Sequence, residues 1–150
     1  MDIRVQQSAF DPGAEASAFA AGMRWIGALV TFTGVVRGGD DTPIEAMEIE
    51  HYPGMTEKAI TNIANDATQR WSLGGVLVIH RHGRLTPGEP IMMVATAARH
   101  RGDAFRAAEF LMDYLKSRAP FWKKEIGPGG VGWVAAHGAD EAALTRWQGS

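Results

Sequence analysis

The sequence predicts an α+β fold, and three observations carry that reading. Apolar residues recur at helical spacing in separate stretches, β-branched runs lie between them, and short Gly-rich turns join neighbouring strands where a parallel sheet would need long crossovers. A length of 150 residues suits one domain with a single core, spanning residues 1–150.

The elements follow in order. Residues 3–6 read as a short strand. Asp11-Pro12 starts a helix, with Asp as the cap and Pro at the first helical position, and Gly22 stops it near Ala21. Residues 27–36 (GALVTFTGVV) are β-branched and apolar on both faces, which predicts a central strand. Residues 44–52 alternate apolar with acidic side chains, a strand with one wet face. The intervening loop Gly38-Gly39-Asp40-Asp41 predicts that these two strands form a hairpin. Pro53-Gly54 breaks the chain, and Ile60, Ile63, Ala64, Ala67 and Trp71 then make one helical stripe over residues 55–71. Residues 76–80 are a strand, and Thr86-Pro87-Gly88-Glu89 has Pro and Gly placed for a type II turn. Residues 91–98 (IMMVATAA) read as a buried strand. Residues 103–118 form a second amphipathic helix, stopped by Pro120. Two short strands, 121–126 and 131–136, flank a Gly-Pro-Gly-Gly turn, and residues 140–147 close the chain as a helix.

Composition narrows the function classes. The net charge is −2 and the pI about 6.2, and no RNA- or DNA-binding motif is present, which argues against nucleic acid as a partner. Charge is nevertheless segregated: Lys58 is the lone base between positions 40 and 66, whereas bases outnumber acids between 99 and 124. A basic segment of that kind suits a small anion or an acidic peptide end. The chain has no cysteine, so disulfides, thiolate metal sites and cysteine nucleophiles are excluded. The first twenty residues carry charges and no apolar run, and no stretch is long and apolar enough to span a bilayer. A cytoplasmic protein is the expectation.

The residues able to carry chemistry concentrate between His100 and Lys124. His100-Arg101 sits where a buried strand meets a helix start, a junction that can hold a phosphate or simply be a solvated terminus. Met112 and Lys116 are four apart and share a helix face. Beyond Pro120, Lys123 and Lys124 must point to opposite sides of a strand, so only one can join Lys116. Like charges held close favour the neutral amine, which helps a lysine in proton transfer or attack. Arg37, at a strand end before a Gly-rich loop, is placed for a bidentate phosphate contact or for an ordinary wet strand end. His80 and His82 would share a strand face, but no third ligand matches them, so no metal is expected. The same features taken alone also describe a non-catalytic docking module, although docking does not require a lysine pair bracketing Pro120.

Five segments occur in an order that resembles the molybdopterin synthase large-subunit family: GALVTFTGVVR, EIEHYPGMTEKA, VIHRHGRLTPGE, AARHRGDAF and MDYLKSRAPFWKKE. The most diagnostic runs are HRxGxLxxGE (His80 to Glu89) and KxxxPxWKxE (Lys116 to Glu125). The resemblance implies an α/β hammerhead fold, large-subunit dimerisation, and a heterotetramer with a ubiquitin-like small subunit. That small subunit's C-terminal thiocarboxylate would give two sulfurs to cyclic pyranopterin monophosphate, with no cofactor. By the same resemblance Lys116 and Lys123 are catalytic, and Val35, Val36, Arg37, His100, Arg101, Lys116, Lys123, Lys124 and Glu125 contact substrate. Phe32 and Met112 would line the pocket. His137 stands where an arginine is expected to reach across the dimer.

Overall fold

A computed structural model describes residues 1–39, 43–134 and 138–148. Among these residues eight strands form two four-stranded sheets, with helices packed on them, so the class is α+β. The first sheet has the order β1 (Asp2–Gln6), β4 (Gly75–Arg81), β6 (Pro90–Ala98), β2 (Ala28–Val35); β1 runs parallel to β4 and the other pairs are antiparallel. The second, all antiparallel, has the order β5 (Gly83–Leu85), β3 (Ala46–His51), β7 (Phe121–Gly127), β8 (Gly130–Trp133).

Local chemistry explains the helices. Asp11 caps α1 (Pro12–Ala20) by accepting from the amides of Gly13 at 2.9 Å and Ala14 at 3.2 Å. The start of α2 (Met55–Trp71) is held by Glu57, whose carboxylate accepts from the Gly54 amide at 3.1 Å; Ser72, left-handed at φ 50°, ends it. α3 (Arg101–Arg118) is pinned to β6 by the buried Thr96 hydroxyl, which donates to the Ala104 carbonyl at 2.8 Å. A short helix α4 (Gly138–Ala143) and a 3-10 turn (Leu144–Trp147) bring the buried Trp147 against α3, where its indole donates to Asp113 at 2.7 Å. One buried cluster joins both sheets and both long helices, through Ile49, Ile60, Val78, Leu85, Val94, Phe110 and Leu111.

Two sequence expectations fail, both at β2. The run at 27–36 was expected at the centre of a sheet and as one arm of a hairpin with the next strand. Instead β2 is an outermost strand that, among the described residues, pairs only with β6, and β3 lies in the other sheet. Its apolar outer residues Leu29, Phe32 and Val35 are 43%, 43% and 50% exposed. A run apolar on both faces marks a strand with something to cover on each side, and sheet order within one chain does not follow from it. The three-residue β5 was not legible as a strand. His137 and the tip of the Gly38–Thr42 loop fall outside the described residues.

Candidate functional site

The lysines gather at one end of the first sheet. A rung across that end runs from Gly34 through Met92 to His80. Beyond it Phe121 opens β7 and stacks on His80, with ring centroids 3.7 Å apart and planes at 17°. Side chains alternate along a strand, so Phe121, Lys123 and Glu125 share one face of β7. Lys124 is on the other face, its ammonium 3.2 Å from Glu50 and 4.4 Å from the centre of the Trp133 ring.

Lys123 is half-buried, and its side-chain amine has no hydrogen bond or ion pair to another described residue. Burial holds its amine below the usual lysine range, the charge of Lys116 adds to this, and Asp140 opposes it. Lys116 is exposed on the last turn of α3, one turn beyond the half-buried Met112. Glu125 faces a groove along the β7–β8 hairpin that also touches Ile44 and Trp133.

Arg37 is exposed just past β2, at this same end. Val36 before it is buried, donates its amide to the Glu89 carbonyl and accepts from the Gly88 amide, each at 2.9 Å; it anchors the arginine and presents no side chain. The turn that holds it is braced in turn. Glu89 accepts from the Thr86 amide at 2.6 Å and hydroxyl at 3.0 Å and pairs with buried Arg81 at 3.2 Å. Arg81 also donates to the Gln7 carbonyl at 2.9 and 3.1 Å. Gly88 supplies φ 93° there, as the type II turn requires. The HRxGxLxxGE run is therefore scaffolding that fixes the end of β2.

His100 and Arg101 sit at the opposite end. β2 and β6 are antiparallel, with Ala28 against Ala98 and Val35 against Pro90. The two ends are separated by seven strand steps, about 23 Å at ~3.3 Å per residue. Arg101 begins α3 and Lys116 lies fifteen residues on, about 22 Å at ~1.5 Å per residue. His100 there borders a shallow cleft with Arg70, Trp71, Ser72, Arg99 and Asp103. Gly27 permits this packing: a Cβ on it would lie 2.3 Å from the Arg99 carbonyl oxygen. Within one copy, Arg37 and His100 do not surround one phosphate, although the resemblance implies that both contact the substrate.

Sequence reasoning missed the histidine cluster beneath Lys123. His80 is 5% exposed, and its Nδ1 lies 2.8 Å from the Arg81 carbonyl. A carbonyl only accepts, so Nδ1 carries the hydrogen. Burial pushes this imidazole down to about 3, with the charge of Lys123 among the lesser causes. The His51 ring lies 4.3 Å from that of His82, tilted by 38°, and its Nδ1 faces Glu57 Oε1 at 3.9 Å, neither atom having a hydrogen bond. The signal was the HRH run, which register, more than spacing, makes meaningful. Among the described residues no group of three or more metal-type ligands converges, and no helix is long and apolar enough to cross a membrane.

Comparison with known proteins agrees with this arrangement of segments. The family model described as MoaE protein matches residues 5–118. A molybdopterin synthase catalytic subunit from Cereibacter sphaeroides is 67% identical over 147 residues, covering 98% of this chain and 100% of the relative. The solved molybdopterin biosynthesis MoaE protein of Burkholderia ambifaria superimposes with a TM-score of 0.83 at 53% identity, covering 99% of both chains. The molybdopterin synthase structure from Staphylococcus aureus gives 0.78 at 29% identity, over 88% of this chain and 96% of that one. With a family model spanning most of its length and relatives far above one-third identity, the chain belongs to the MoaE family, that of the molybdopterin synthase catalytic subunits.

Proposed function

We propose that this chain, as one domain over residues 1–150 in the cytoplasm, transfers sulfur from the C-terminal thiocarboxylate of a ubiquitin-like partner to cyclic pyranopterin monophosphate. The observation that carries this reading is the half-buried Lys123 amine, pushed toward its neutral form next to Lys116 and on the same sheet end as Arg37. Both reactants are anions, and three basic side chains from three segments of the chain meet them there.

In this reading the partner's tail enters beside Lys116. The thiocarboxylate sulfur attacks the side-chain carbon of the pterin that bears the cyclic phosphate ester, breaking that carbon–oxygen bond so that the ring opens to a phosphate monoester, and giving an acyl–sulfur link between partner and substrate. Water then cleaves the acyl–sulfur bond; the sulfur stays on the pterin and the partner leaves as a carboxylate. A second round at the neighbouring carbonyl-level carbon, whose oxygen leaves as water, completes the dithiolene. Lys116 stabilises the oxyanion that develops at the acyl carbon, a contact commonly worth a few kcal/mol. Lys123, easily deprotonated, exchanges a proton as the cyclic phosphate opens.

His100 and Arg101 join this site in a dimer. β2 has an open edge with exposed Leu29, Phe32 and Val35. Two-fold antiparallel apposition of β2 on its copy puts the Arg37 end of one protomer beside the His100 end of the other. The far-end cations then complete the neighbour's phosphate site, and a small subunit on each protomer gives a heterotetramer. His137 would add to the cross-dimer contact by the family resemblance. Incubating the chain with a thiocarboxylated small subunit and cyclic pyranopterin monophosphate tests the reading: dithiolene formation is expected, and its absence with both reagents intact would overturn it.

A further inference from the structure

We propose that the His80–Phe121 stack is a positioning element for Lys123, walling the amine from water and fixing where β7 carries it. This rests on the reading that Lys123 acts in the reaction. Phe121 precedes Lys123 by two residues on the same strand face, and the stack with buried His80 ties the start of β7, in the second sheet, to the end of β4, in the first. Phe121 also pairs in register with His51, whose ring lies 6.4 Å away. The two sheets meet here through aromatic rings, and the lysine rises from that floor.

The groups facing Lys123 explain why a ring suits this place. Lys116 approaches from α3 and Asp140 from α4, and His80 from the end of β4 lies next to the amine; His51 of β3 and His82 surround His80 in turn, and Glu57 of α2 faces His51. A carboxylate in the position of His80 would hold the ammonium charged. An alanine would admit water and do the same more weakly. The imidazole is locked by its Nδ1–H to the Arg81 carbonyl and is kept neutral by burial, so it contributes volume and dryness without charge.

The test is amine acylation of the intact protein over a pH series, read at Lys123 by peptide mass spectrometry. The midpoint of the labelling profile is compared, because greater exposure alone changes rate and not midpoint. In wild type the midpoint is expected below those of the surface lysines. His80→Ala is expected to move it up toward the ordinary lysine range and to lower turnover at least about tenfold with KM for the pterin unchanged. His80→Phe keeps a stacked ring and is expected to restore the low midpoint. A folded His80→Ala with an unmoved midpoint, or a folded His80→Phe that fails to restore it, would overturn the proposal. Should His80→Ala not fold, Phe121→Leu, at the strand start, carries the same comparison, and an unmoved midpoint there counts equally against the stack. Labelling needs no turnover, so a wild type that forms no dithiolene overturns the assigned reaction while the midpoints still decide the role of the stack.

Discussion

Mixing two inactive variants is the sharpest test of a site shared between protomers. Arg37→Ala removes a cation at one end of β2, and Arg101→Ala removes one at the other end, about 23 Å away by strand geometry. If each site takes Arg37 from one copy and Arg101 from the other, both homodimers carry two damaged sites. A heterodimer concentrates both defects in one site and leaves the other intact. Random exchange at equal amounts makes half the dimers mixed, each with one sound site of two, so turnover should recover to about one quarter of wild type by two-fold symmetry. The assay is dithiolene formation after subunit exchange, with exchange verified by native mass spectrometry. Verified heterodimers with no gain over the separate variants would refute the shared site and return His100 and Arg101 to an ordinary helix start.

Other perturbations follow from the same geometry. Lys116→Ala should leave folding nearly intact, since alanine carries no helix penalty, yet lower turnover at least about a hundredfold with partner binding retained; Lys124→Ala, losing only its contacts with Glu50 and Trp133, should be far milder. Stability should fall as pH drops below about 6.5, because His80 stays neutral when folded down to about 3 while the unfolded chain protonates near 6.5. The unfolded state then binds the extra proton, at up to about 1.4 kcal/mol per pH unit; urea midpoints at pH 7.5 and 5 should show a smaller difference in His80→Phe. Gly27→Ala should cost about 1–3 kcal/mol in urea unfolding, because the opposing atom is the Arg99 backbone oxygen and cannot swing away.

Much of this was legible in sequence, and the part that was not has a physical cause. Caps and breakers are local, so α1 and α2 emerge at nearly the bounds that Asp11-Pro12, Pro53-Gly54 and Trp71 suggest. Alternation is also local, and it separates Lys123 from Lys124 correctly, as the Glu50 contact shows. Sheet membership is not local. Nothing in residues 27–36 says that β6, sixty residues on, is their neighbour and that β3 is not. The histidine floor was hidden for the same reason: His51, His80 and Phe121 meet only once β3, β4 and β7 are in place.

The antiparallel pairing of β2 with β6 also explains why a site shared as proposed would mislead a reader of one chain. Arg37 follows one strand and His100 follows the other, so in sequence both are residues just past a strand end. Antiparallel neighbours put such residues at opposite poles of the sheet. A second copy related by a two-fold axis reverses one pole onto the other. For a substrate with an anion at one end and a reacting carbon at another, that has a consequence for catalysis. In the proposed dimer, His100 and Arg101 would sit on a different rigid body from the Arg37, Lys116 and Lys123 they serve, so their spacing would be set by the dimer interface and not by loop geometry. Loosening the exposed apolar edge, for example by Phe32→Asp, should therefore reduce turnover before it unfolds the protomer, and the loss should track the fraction of monomer measured by sedimentation. A Phe32→Asp protein that sediments as a monomer and still turns over normally would place the whole site within one chain.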